Sequence, residues 1–145
     1  MRSLVPIALI YACAATAGVA CHSAAAPNTL VSLGLVDIDG GSSVAALIVP
    51  ATGTVGVPTP VTVSTWGSSS CTHPDTTIIS VTRLIADITV YDRGEPPETP
   101  CTGDLHRFPR DVTVTFLVPG QAAVRLHGRS SSGQTTLSAT LTVGL

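Results

Sequence analysis

The stretch "TTLSATLTVGL", Thr135 to Leu145, closes the chain and decides how the rest is read. Leu137, Ala139, Leu141, Val143 and Leu145 fall on one parity, and Thr136, Ser138, Thr140 and Thr142 on the other. A period of 2 places alternate side chains on opposite faces of an extended backbone, so this run reads as a strand with one buried and one wet face. Threonine suits the wet side, because its branched Cβ fits a pleated surface.

The same period recurs toward the N-terminus. "AAVRLHG" sets Ala122, Val124 and Leu126 against Ala123, Arg125 and His127. "DVTVTF" sets Val112, Val114 and Phe116 against Thr113 and Thr115, and "DITVYD" sets Ile88 and Val90 against Asp87, Thr89 and Tyr91. "PVTVSTW" sets Val61 and Val63 against Thr62 and Ser64. Between these runs lie turn-rich segments: "DGGSS", "PATG", "GVPTP", "GSSSCTHPD", "RGEPPETP", "VPGQ" and "GRSSSGQ". In this reading "HPD" turns into a strand over 77–81, and "YDRGEPPETP" is an extended, solvated loop. "PCTGDLHRFP" has room for one helical turn between Pro100 and Pro109. About eight short strands, evenly punctuated by turns, predict an all-β fold, an antiparallel sandwich or barrel over 30–145.

The first twenty residues read differently. Arg2 supplies a short positive region, Leu4 to Ala20 carry no charge, and small residues end the run. This is the pattern of a secretory signal peptide over 1–20, with an uncleaved anchor as the alternative. Residues 21–29 then form a short polar tether. "GVAC", Gly18 to Cys21, resembles a bacterial lipoprotein processing site, and that resemblance makes Cys21 the expected lipidated residue. Cleavage after Ala20 by the ordinary small-x-small rule fits the same residues. The expected location is therefore the periplasm, the outer membrane or cell surface, or the medium, with membrane contact only through a lipid on Cys21.

Composition narrows the function classes. Charged residues make up 11% of the 145, the net charge is −2, and there is no lysine. Scattered arginines and five aromatic residues supply neither a basic stripe nor a stacking platform, so nucleic acid is not an expected partner.

Cys71 and Cys101 are the two cysteines left once Cys13 departs with the signal and Cys21 is acylated. In an oxidising compartment they are expected to form a disulfide. The competing reading is a metal site of Cys71, His73, Cys101 and His106, which is a zinc-type ligand set at unfamiliar spacing. Blue copper fails for want of a methionine beyond Met1. His22, His73, His106 and His127 are too few and dispersed for a superoxide-dismutase cluster. "GxSxG" is absent. Asp87 and Asp92, five positions apart, fall on opposite faces, and His127 reads as a solvated strand residue. "DIDGG" at Asp37 to Gly41 reads as a hairpin turn, because the twelfth position of a calcium loop would be Ile48.

Two segments resemble bacterial immunoglobulin-like, fibronectin III-like domains. "DVTVTFLVPGQAAVRLHGRSSSGQTTLSATLTV" is similar to their last three strands and "LIVPATGTVGVPTPVTVST" to their first two, covering most of 44–143. The order "TWG…C…YD…C" is also similar to that of small exported bacterial proteins. The resemblance implies an antiparallel immunoglobulin-like sandwich of about 7–8 strands, and it carries no functional residues. Because Trp66 precedes Cys71 and both cysteines sit among turns, the bond would not be the antibody-type core disulfide. The expectation is thus a non-enzymatic exported or lipid-anchored module with a structural or binding role at the cell envelope. No catalytic residue or cofactor is assigned, and the partner is an envelope protein or glycan. A small metal-binding or hydrolytic envelope protein is the alternative.

Overall fold

A computed structural model describes residues 30–38 and 45–145. The expected signal peptide, tether, lipidation of Cys21 and turn of "DIDGG" lie wholly or largely outside the described residues.

Alternation becomes strand in every run where it was read, although the strand holding "DVTVTF" stops at Val114, before the buried Phe116. Nine strands form: β1 (Leu30–Leu33), β2 (Leu47–Ile48), β3 (Thr52–Thr54), β4 (Thr59–Gly67), β5 (Thr72–Thr82), β6 (Ile85–Gly94), β7 (His106–Val114), β8 (Gly120–Ser130) and β9 (Gly133–Gly144). They divide into a six-stranded sheet ordered β1-β6-β8-β9-β3, with β5 also on β6, and a three-stranded sheet ordered β2-β4-β7. The inward parities meet between the sheets. Val61, Val63, Ile88, Val90, Val114, Phe116, Val124, Leu126, Leu141 and Val143 are all buried. Each contributes about 1.5–3 kcal/mol relative to an exposed side chain.

The fold is all-β in two sheets, but the larger sheet is mixed. β1–β6, β5–β6 and β8–β9 are antiparallel, whereas β6–β8 and β3–β9 are parallel. The cause is connectivity. After β6 the chain crosses to the other sheet as β7 and returns as β8, so β6 and β8 run the same way, as strands joined by a crossover must.

Leu35 stitches the two sheets. It bridges antiparallel to Trp66 of β4 and parallel to Arg129 of β8. This segment enters because two neighbours lack side chains. A Cβ at Gly128 would come within 2.5 Å of Val36 Cγ1, and one at Gly34 within 2.9 Å of Asp92 Oδ2.

Three local expectations are corrected. "PCTGDLHRFP" contains no helical turn, and His106 to Pro109 open β7. A proline is tolerated there because β7 is an edge strand, paired only with β4. "HPD" is not a turn: β5 begins at Thr72 and shifts register between Pro74 and Thr77, a bulge that absorbs the proline. "YDRG" belongs to β6, and the loop begins only at Glu95, because the inward parity continues past Val90 to a buried Asp92.

Candidate functional site

The β4–β5 and β6–β7 connections meet at one end of the two sheets. Cys71, just before β5, is bonded to Cys101 of the loop after β6, with Cα atoms 5.5 Å apart. Cys71 is buried and Cys101 exposed. The bond spans 30 residues and encloses the whole β5–β6 hairpin. By the chain-entropy argument such a loop contributes about 3–4 kcal/mol.

Around this bond lies a cluster of hydroxyls. Thr102 N–H donates to Ser70 Oγ at 2.9 Å, and Thr102 Oγ1 lies 2.9, 3.2 and 3.2 Å from the hydroxyls of Ser68, Ser69 and Ser70. Thr102 Oγ1 also donates to Asp104, to which Ser69 N–H donates at 3.1 Å. Thr102 has one hydroxyl proton and gives it to Asp104, so toward the serines it can only accept. These donors hold the Asp104 carboxyl down to about 2.

Two histidines flank the cluster. His73 lies on β5 and pairs through Nε2 with Glu95 Oε1 at 3.0 Å, so it is neither a loop residue nor unpaired. His106 opens β7 opposite Gly67 and packs edge-on against Phe108, ring centroids 4.9 Å apart. Of the four residues Cys71, His73, Cys101 and His106, the structure joins only the two cysteines directly. Among the described residues, no three His, Cys, Asp or Glu side chains converge as a metal site.

A second polar group is buried between the sheets. Arg110 of β7 shares the inward parity of Val112 and Val114, and pairs with Asp92 of β6. Its guanidinium also donates to Tyr91 O at 3.0 Å, Thr65 Oγ1 at 3.2 Å and Thr77 Oγ1 at 3.3 Å, while Thr65 Oγ1 donates to Asp92 at 3.1 Å. Arg110 Nε–H is buried with no hydrogen-bond partner. Burial pushes the Asp92 carboxyl up, outweighing the pull of Arg110 and the bond from Thr65. Sequence reading missed this pair, although the signal was there: Asp92 continues the parity of Ile88 and Val90.

A third group lies on the outer face of the large sheet. His127 of β8 contacts Asp87 Oδ1 of β6 through Nε2 at 2.8 Å and Thr136 Oγ1 of β9 through Nδ1 at 3.0 Å. It points outward as expected, but as the middle of a three-strand ladder rather than as a free side chain. Asp87 and Asp92 do fall on opposite faces, one half-buried and one buried. The Asp–His–Thr order resembles a nucleophile relay. Thr136 nevertheless sits opposite His127 in the extended β8–β9 ladder, where strand N–H groups point within the plane of the sheet and the Thr136 side chain stands out of it, so they do not converge on an oxyanion beside its hydroxyl. Compared with family profiles, with curated proteins and with solved structures, the chain matches none.

Proposed function

We propose that the chain is an exported, non-enzymatic sandwich module of the immunoglobulin-like type, which binds or spaces a partner at the cell envelope through its stapled end. The Cys71–Cys101 bond carries this reading. A disulfide of this kind persists in oxidising compartments, in keeping with the signal-like segment over 1–20 and the lipoprotein-like Cys21. The bond also fixes two loops on a rigid two-sheet scaffold, the usual setting for a recognition surface. That surface offers the hydroxyls of Ser68, Ser69, Ser70 and Thr102, the Asp104 carboxylate and the His106–Phe108 ring pair. Hydroxyls, a carboxylate and a ring suit a polyhydroxylated ligand such as an envelope glycan. The metal-binding alternative is disfavoured because both sulfurs are spent in the disulfide and offer no thiolate.

Two measurements test the reading. The intact mass of the protein purified from the envelope is expected to show a chain starting at Cys21, acylated and lacking two hydrogens for the disulfide. Co-sedimentation with isolated envelope glycan is expected to fall when Thr102→Val and Asp104→Asn are introduced together. A chain recovered with free thiols and stoichiometric zinc would overturn it, as would glycan binding indifferent to both substitutions.

A further inference from the structure

Strand β5 has β6 as its only strand neighbour among the described residues, so its other edge carries unpaired backbone donors and acceptors. Natural edges are blunted by proline, bulges and charge. Here those devices sit at one end: Pro74, the register shift between Pro74 and Thr77, and Asp75. The rest, "TTIISVT" from Thr76 to Thr82, is uncharged, and all of it except Ser80 is β-branched. Ile78, Ile79 and Val81 are 53%, 39% and 37% exposed. Arg83, at φ 54° in the hairpin turn, ends the run.

We propose that this edge is where a second copy of the chain docks, β5 against β5, antiparallel, about a twofold axis through Ile79. A symmetric antiparallel pair must centre on a residue, since neighbouring pairs alternate between bonded and non-bonded types and the axis cannot exchange the two. With the axis at Ile79, Ile79 faces itself, Thr77 faces Val81 and Ile78 faces Ser80. Asp75, in the bulge, and Arg83, in the hairpin turn, lie beyond opposite ends of this paired run, four residues either side of 79, so each copy's Asp75 comes to the end where the other copy's Arg83 lies. The two opposite charges are thus brought together twice, once at each end of the run. The chain's own sequence thus supplies the complementary partner: an apolar, charge-free centre with opposite charges at each end. Both Asp75 and Arg83 are exposed and available for it. The inference stands apart from the glycan reading, since β5 lies beside the stapled end and the docking edge involves none of the cluster hydroxyls.

Sedimentation of the disulfide-intact protein across a concentration series tests it. A monomer–dimer equilibrium is expected. Asp75→Arg alone and Arg83→Asp alone each bring like charges together at both ends of the run and weaken the dimer by about tenfold, and the double exchange restores it. In an Ile79→Cys variant treated with diamide, the introduced thiols meet on the axis and give a covalent dimer, since facing strand residues lie within disulfide reach. A protein that stays monomeric throughout and does not cross-link overturns the proposal. A dimer indifferent to both single charge changes overturns the register and the edge together.

Discussion

Arg110 and Asp92 form the only ion pair, among the described residues, that joins the two sheets. Each is nearly excluded from solvent, with 11% and 7% of the side chain exposed. Removing one partner leaves the other's charge buried. Arg110→Ala is therefore expected to cost about 3–5 kcal/mol at neutral pH in urea unfolding. Replacing both partners with apolar residues, Arg110→Met with Asp92→Leu, is expected to recover most of that loss, because no charge is then left to desolvate.

The same pair sets a pH signature. The folded Asp92 carboxyl titrates above its ordinary 3.8 because burial outweighs Arg110. The folded state therefore holds this proton more tightly than the unfolded one. The contribution to stability is fully present below 3.8 and is lost as pH rises through the folded value. Arg110→Ala removes the strongest opposing influence, so the loss in that variant is expected to shrink as pH falls. Unfolding of both proteins at a series of pH values measures it, and an equal gap at every pH would contradict it.

Asp104 runs the other way. Its carboxyl is held at about 2 by Thr102 and Ser69, below the ordinary 3.8. What the bonded carboxylate contributes is present above 3.8 and lost as pH falls toward 2. Carboxyl NMR is expected to find its midpoint near 2. Thr102→Val is expected to move that midpoint up toward 3.8.

Reduction of Cys71–Cys101 is expected to lower stability by about 3–4 kcal/mol while leaving the sheets assembled. Urea unfolding with and without reductant reads the difference, and Cys71→Ser with Cys101→Ser is expected to reproduce it. The β5–β6 hairpin inside the loop should show the largest rise in amide exchange.

Gly128→Ala places a methyl group against Val36. A cost of about 1–3 kcal/mol is expected from this overpacking. Val36→Ala in the same chain is expected to recover part of it by making room. Thermal melts of the single and double variants test the coupling.

The faces of the strands were legible in the sequence because burial acts on every second residue: Val124 and Leu126 of β8, and Leu141 and Val143 of β9, are inward as alternation requires. The disulfide was legible because the signal-like pattern over 1–20 led to the expectation of an oxidising compartment, where two remaining cysteines tend to pair. What escaped was of two kinds. Pro74 and Pro109 read as strand breakers, and only the sheet order shows that both lie on edge strands, where a missing donor costs no ladder bond. Asp92 reads as part of a solvated loop and Arg110 draws no reading at all, although their parity places both inside; each needs the other, 18 residues away, to make burial tolerable. The parallel β6–β8 pairing was beyond reach, since alternation fixes which face a strand buries and not which strand it lies beside.

The strip from Gly34 to Val36 has a mechanical consequence. Its backbone bonds to Val90 of β6, to Trp66 of β4 and to Arg129 of β8, each at 2.9 Å. Tension applied at Leu30 would first peel β1 from β6, working inward from the Leu30–Gly94 pair. It would then reach a point where three strands from both sheets resist together. A domain pulled in this way yields a few residues of slack and then stops, as a knot stops a pulled thread.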